Sequence, residues 1–334
     1  MYIEEYLRYR KEAEKERRRA IASIRVIHPV VLASVSLAVI LWLFVAVTAE
    51  RPKTLSRSEP RLEMKLFNVG QGVCFLIRTP SGESILIDSG PPTPKNAEES
   101  AAYCLLPGRD VWKNVLKKYF EKKKIKSIDA FILTSPDAGF AGGAASIFND
   151  GFSVGKVLMT DTYFPGPRFR SFRNIKTIAK KRGIFKQISC GDTLMFGDVI
   201  IQVIAPLTDY AGFEDFHKNG SAVLRIVYKN TAVLYAGNCG LASLNHITSY
   251  KDLHSNVLVV PNYSSDSSFS LSFIEQVSPE VCLISVGRGN KDSYPDSEVL
   301  AFYDKMHIKY LRTDDNGTIT VLSDGNVVNV KKEY

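Results

Sequence analysis

From Leu62 onward, short apolar runs alternate with breaks rich in Gly, Pro, Asp and Asn, the pattern of strands joined by turns. Three β-type runs are predicted over 62–68, 73–79 and 84–88, punctuated by Gly70-Gln71-Gly72 and Ser81-Gly82. A Pro-rich stretch, 91–109, reads as a loop, and Asp110 to Lys123 as a basic amphipathic helix. The run Ala130–Leu133 then ends in Thr134-Ser135-Pro136, and a small-residue helix is expected near Ala141. A strand that delivers a polar loop to a helix is a common place for catalytic ligands. Beyond it the pattern predicts a strand over 156–160 and hairpins about Phe196-Gly197-Asp198 and Lys229-Asn230. The last third alternates strand (256–260), helix (270–277), strand (280–286), helix (296–305) and strand (308–312). A closing hairpin is signalled by Asn316-Gly317. Strands, then helices, then strands again indicate a layered α+β domain over 62–334.

The N-terminal part follows a different pattern. Residues 1–25 are dense in charge, with Lys11, Lys15, Arg17, Arg18, Arg19 and Arg25 among several glutamates. Val26 to Ala49 then carries no Asp, Glu, Lys or Arg. About 20 such residues span the hydrocarbon core as a helix, and a soluble core helix rarely stays apolar on every face for so long. Val47-Thr48-Ala49 would also serve as a signal-peptide cleavage site, but the apolar run exceeds the usual h-region. The reading is therefore a charged cytoplasmic segment (1–25), one transmembrane helix (26–49) and a linker (50–61). The denser basic cluster before the helix places the large domain outside the cytoplasm.

Composition changes this picture little. Hydrophobic content of 45% against 23% charged residues in 334 fits a folded domain with its own core. The net charge of +8, from 43 basic and 35 acidic residues, permits a nucleic-acid or anionic-membrane partner without requiring one. The five cysteines show no CxxC pair, and Cys74, Cys239 and Cys282 fall in or beside apolar runs as small core residues. The five histidines show no HxH or HxxxH spacing.

Phe131 to Gly143, reading FILTSPDAGFAGG, resembles the metal loop of the metallo-β-lactamase fold in the THPDADHIGG form of the ComEC-type DNA-internalisation competence proteins. Thr134, Pro136, Asp137, Ala138, Gly142 and Gly143 match, whereas Ser135, Gly139 and Phe140 stand at the ligand positions. The opening LEMKLFNVGQGVCFLIRTPSGESILIDSG is similar to FLDVGQGDAILIRTPNGKTILIDGG, with Asn68 and Val73 at two family aspartates and Asp88 retained. SAVLRIVYKNTAVLYAGN ends on Asn238 at a family aspartate, and Pro261-Asn262-Tyr263-Ser264-Ser265 stands where the family carries PHHGS. The resemblance covers nearly all of 62–325 and implies a four-layer αββα sandwich.

It also implies a di-metal hydrolase, in which nitrogen and oxygen donors hold ions such as zinc or manganese that make hydroxide from water. Of the positions Ser135, Asp137, Gly139, Phe140, Asn238, Asn262 and Tyr263, only Asp137 is a strong donor. The resemblance gives Asp88 an orienting role. The expectation is a metal-free pseudoenzyme with no cofactor and no catalytic residue. Asp137 would then serve as the cap of the following helix. A metal-dependent phosphodiesterase or nuclease with relocated ligands is the alternative.

Arg168, Arg170, Arg173, Lys176, Lys180, Lys181, Arg182 and Lys186, interleaved with Phe169 and Phe172, form a basic stretch. It suits single-stranded DNA through phosphate pairing and base stacking, or is simply a solvated helix face. Gly70-Gln71-Gly72 is a turn whose amides would suit a phosphate. Another membrane protein is the other partner class.

Overall fold

A computed structural model describes residues 8, 10–22, 61–249 and 252–333. The chain divides into two units, Met1–Thr54 and Leu55–Tyr334. In the first, residues 10–22 are helical and exposed. The expected membrane span over 26–49 lies outside the described residues. Among the described residues no helix is long and apolar enough to cross a membrane.

Among the described residues of the second unit, fifteen strands form two mixed sheets. The first contains β1 (Leu62–Leu66), β2 (Phe75–Arg78), β3 (Ser84–Ile87), β4 (Ser127–Leu133), β5 (Ser153–Thr160), β6 (Phe185–Ile188), β14 (Thr318–Ser323) and β15 (Val328–Glu333). Its order is β15-β14-β1-β2-β3-β4-β5-β6. The second contains β7 (Thr193–Phe196), β8 (Val199–Ala205), β9 (Val223–Tyr228), β10 (Thr231–Tyr235), β11 (Val257–Val259), β12 (Val281–Ile284) and β13 (Lys309–Arg312), in the order β13-β12-β11-β10-β9-β8-β7. Each sheet joins an antiparallel half to a parallel half, at β3–β4 and at β10–β11.

The apolar runs are unbroken because both faces of these strands are buried. Along β2–β4, Phe75, Ile77, Ile85, Ile87, Ala130 and Ile132 point into a core shared with Leu224, Ile226, Val233, Tyr235, Val257 and Val259 of the other sheet. Their neighbours Leu76, Leu86, Phe131 and Leu133 point outward, under Trp112, Phe120, Ile147 and Phe172 of the covering helices. On the far side Leu234, Leu258, Cys282 and Ile284 pack beneath Leu244, Phe273, Val299 and Tyr303. Two facing sheets with a helix layer on each outer face make the αββα sandwich. Each fully buried Leu, Ile or Phe in these cores contributes about 1.5–3 kcal/mol.

Three local expectations are corrected. The Pro-rich stretch contains a helix, Ala97–Tyr103, capped by Asn96, whose side chain accepts from the Glu99 amide. The small-residue helix starts at Ala138 rather than Ala141, as Ala138–Ala141 followed by Ala144–Asn149. Asn316-Gly317 closes no hairpin. β13 ends in the second sheet, Thr313–Asn316 makes one helical turn, and β14 opens in the first sheet between β1 and β15. Asn-Gly marks a reversal of direction, and here the reversal carries the chain from one sheet to the other.

Candidate functional site

Asp88 follows β3, Ser135 to Phe140 follow β4, Asn238 follows β10, and Asn262 and Tyr263 follow β11. They gather at the carboxyl ends of the parallel strands, where side chains from both sheets converge, as ligand sites do in sheets of this kind.

Asp88 is fully buried with a positive φ of 55°. Its carboxylate accepts from the Thr134 amide at 2.8 Å, from the Thr134 hydroxyl, and from the Tyr235 hydroxyl at 2.7 Å. Tyr235 belongs to β10, so this carboxylate ties one sheet to the other. Burial raises its pKa to about 6, against the opposing pull of the Thr134 and Tyr235 hydrogen bonds.

Asp137 anchors a separate polar cluster. One carboxylate oxygen accepts from Arg168 Nη2 at 2.8 Å. The other accepts from Asn238 Nδ2 at 2.7 Å and lies 3.4 Å from His217 Nε2. Asn238 also donates to Ser135 Oγ at 2.9 Å. The expected helix cap is therefore overturned: Asp137 occupies the N-cap position, but its side chain makes no capping hydrogen bond. Its carbonyl accepts from the Phe140 and Ala141 amides instead. The carboxylate itself is directed at the Arg168 guanidinium and the Asn238 amide, both within hydrogen-bond distance.

His217 is the member that sequence spacing misses, lying in a single helical turn, Phe216–Asn219, far from the loop in the chain. Its ring rests against Phe169 (centroids 5.6 Å apart) and Phe216. Burial holds its pKa below the usual value, with Asp137 opposing and Arg168 reinforcing the shift. The signal in the sequence was weak: one histidine inside the Phe-rich FEDFHKNG segment.

The remaining positions are filled by packing. Phe140 is fully buried in the core between the sheets. A Cβ on Gly139 would stand 2.4 Å from the Tyr263 hydroxyl oxygen, with no other atom nearer than 3.4 Å. The Tyr263 ring lies between Phe140 (5.6 Å) and Tyr294 (6.1 Å), so the hydroxyl is held there. Asn262 turns away, donating to Ser265 Oγ at 2.7 Å and Ser268 Oγ at 3.2 Å, which also engages the serines of that loop. Asp296 caps the helix Ser297–Lys305 through the Glu298 and Val299 amides.

These residues do not fit a catalytic metal. A zinc site takes three protein donors with one open position, and here only Asp137 and His217 approach each other. Among the described residues no group of three or more His, Cys, Asp or Glu converges. The Arg168 guanidinium places a positive charge against the same carboxylate.

The basic stretch forms the helix Arg170–Lys181, with Phe172, Ile175 and Ala179 buried on one face. Phe169 and Phe172 are core residues, so the base-stacking role expected of them is corrected. Arg168 is bound to Asp137, Arg173 donates to the Phe164 carbonyl at 2.6 Å, and Lys176 pairs with Asp161 at 3.2 Å. Lys180 lies over Phe185 and Arg182 over Phe148. The Gly70-Gln71-Gly72 cradle is also corrected, since the Gly70 amide donates to Asn68 Oδ1 and the Gln71 amide to the Tyr103 carbonyl.

Layers, loop positions and altered ligand positions together resemble a metallo-β-lactamase-fold domain of the ComEC-like kind whose metal-ligand motifs are degenerate. No family model matches the chain. Among curated proteins it is similar to ComE operon protein 3 of Bacillus subtilis (strain 168), 25% identical over 266 residues, which cover 77% of this chain and 32% of that protein. It is also similar to competence protein ComA of Neisseria gonorrhoeae, 24% identical over 271 residues, 80% of this chain and 33% of that one. The chain thus spans about a third of the length of these relatives. Among solved structures it is similar to the metallo-β-lactamase fold protein YhfI from Bacillus subtilis, 13% identical with a TM-score of 0.45, over 75% of this chain and 95% of that one. Another is Igni18, a metallo hydrolase from the archaeon Ignicoccus hospitalis, 17% identical with a TM-score of 0.47, over 77% of this chain and 98% of that one.

Proposed function

We propose that this chain is a metal-independent binding domain built on a hydrolase scaffold and held at the cell membrane by residues 26–49, with the domain on the extracytoplasmic side. One observation carries the loss of chemistry: the space beside Gly139 is taken by the Tyr263 hydroxyl, and Asp137 is engaged by Arg168 and Asn238. The anchor rests on the uncharged span and its basic flank. The alternative, a phosphodiesterase or nuclease with relocated ligands, is favoured only by His217 beside Asp137. That pair is one donor short of a catalytic zinc site.

Carbonate-washed membranes are expected to retain the full-length chain. Protein purified from them is expected to hold far less than one zinc, manganese or iron per chain and to leave linear and single-stranded DNA uncut with added metal. Stoichiometric metal lost in the Asp137→Asn chain, together with cleavage, would establish the hydrolase. A mature form starting near Glu50 would replace the anchor by a signal peptide.

The partner class that the helix Arg170–Lys181 suits is single-stranded DNA, read through its phosphates, with another membrane protein as the other candidate. Arg170, Lys180 and Lys181 are its exposed cations outside the ion pairs above. Replacing all three by alanine is expected to lower the dependence of log K on log salt by about 2, at roughly 0.7 per phosphate contact. An unchanged slope sinks this assignment.

A further inference from the structure

On a different part of the surface a cleft of about 620 Å³ is walled by Asn68, Arg109, Asn114, Arg288, Thr318 and apolar Leu105 and Val115. A neighbouring groove of about 370 Å³ shares Arg109 and Asn114 and adds Lys118. We propose that this cleft is a binding site for a phosphorylated ligand of nucleotide or dinucleotide size, its phosphates seated on Arg109 and Arg288 with Lys118 extending the track.

Charge bookkeeping within the cleft supports this. Two carboxylates line it, and each already faces a cation, although Arg312 also pairs with Asp315 and Lys65 also lies near Glu63. Asp314 is paired with Arg312 at 2.6 Å, and Glu333 is bonded to Lys65 and to Thr320. Among the described residues neither Arg109 nor Lys118 enters an ion pair. Arg288 donates through Nε and Nη2 to the Asp314 carbonyl, which fixes the guanidinium while leaving its charge and Nη1 uncompensated. On the basic helix, by comparison, Arg168 and Lys176 are bound to carboxylates.

A planar guanidinium held in place suits a phosphate, because its fork of N–H groups matches the phosphate oxygens. Asn68 and Asn114 add side-chain amide donors: the Asn114 carbonyl oxygen is occupied by the Asp110 amide, which turns the NH2 end outward to other partners. Leu105 and Val115, with Leu106 and Pro107 in the groove, supply apolar surface for a base. The volume lies within the usual range for small-molecule sites, about 300–1,000 Å³. This site does not depend on whether the Asp137 pocket is catalytic, and it shares no residue with that pocket.

The test is calorimetric titration of the full-length chain with a 5′-phosphorylated deoxyadenosine dinucleotide, with inorganic phosphate, and with a single-stranded 20-mer. One dinucleotide per chain is expected. Its affinity should fall at least tenfold in the R109A/R288A chain, partly recover in R109K/R288K, and stay unchanged in R170A/K180A/K181A. Equal binding by the R109A/R288A chain overturns the proposal, as does absence of binding at low salt. Inorganic phosphate binding as tightly as the dinucleotide would also overturn it, marking an adventitious anion position only. A 20-mer weakened only by the helix substitutions would leave the DNA reading standing while the cleft falls.

Discussion

Asp88→Ala is expected to destabilise the sandwich by several kcal/mol. The substitution leaves the Thr134 amide, the Thr134 hydroxyl and the Tyr235 hydroxyl without their acceptor in a site closed to water. An unsatisfied buried polar group costs about 1–3 kcal/mol, so three give roughly 3–6 kcal/mol after partial relaxation. A domain has only about 5–15 kcal/mol in total, and urea midpoints should show the loss at once. A cost below 1 kcal/mol would mean that Asp88 does not hold the sheets together.

The same carboxylate carries a pH signature. Its folded pKa, about 6, lies above the value of 3.8 expected for an unperturbed carboxyl. The folded state therefore binds the proton more tightly than the unfolded state. Its contribution is fully present below the unfolded value and is lost as pH rises through about 6. Relative to Asp88→Asn, which cannot titrate, the wild-type chain should gain about 2 kcal/mol between pH 7 and pH 4. Measuring the difference between the two chains subtracts the other carboxylates, several of which shift the opposite way. Asp110, Asp150 and Glu333 all have lowered values. A difference that stays flat with pH would exclude Asp88 as the titrating group.

Gly139→Ala should destabilise by about 1–3 kcal/mol through overpacking, although alanine is the better helix former. Gly139 has no positive φ, so backbone conformation does not require glycine there, and the cost comes from the 2.4 Å approach to the Tyr263 hydroxyl. Deleting that one oxygen with Tyr263→Phe leaves the next atoms at 3.4 Å, an ordinary contact. In that background Gly139→Ala should become neutral or stabilising by up to about 1 kcal/mol, the helix-propensity gain. The double-mutant cycle should therefore show a coupling of about 2 kcal/mol, and strictly additive effects would contradict the packing described. A metal-ligand side chain placed at Gly139 has no room until Tyr263 is reduced.

Much of the sandwich was legible along the chain. The unbroken apolar runs of β2, β3, β4 and β10 state that both faces are buried, and alternation within them assigns residues such as Ile77 and Leu76 to opposite cores. Local chemistry also determined what two pocket positions cannot supply, because Gly139 and Phe140 carry no side-chain metal donor whatever surrounds them. Three things were decided only by the tertiary structure. His217 reaches Asp137 from a turn about 80 residues away in sequence, and no local spacing encodes that approach. Arg168 takes the same carboxylate, so a residue read as part of a solvated basic face serves the pocket instead. Asn316-Gly317 switches sheets rather than pairing neighbours, because β1 already offers β14 an edge in the other sheet. Hydrophobic periodicity reports which face of an element is buried. It carries no information on which distant side chain arrives within 3 Å, and that depends on sheet order and on close contacts such as Tyr263 against Gly139.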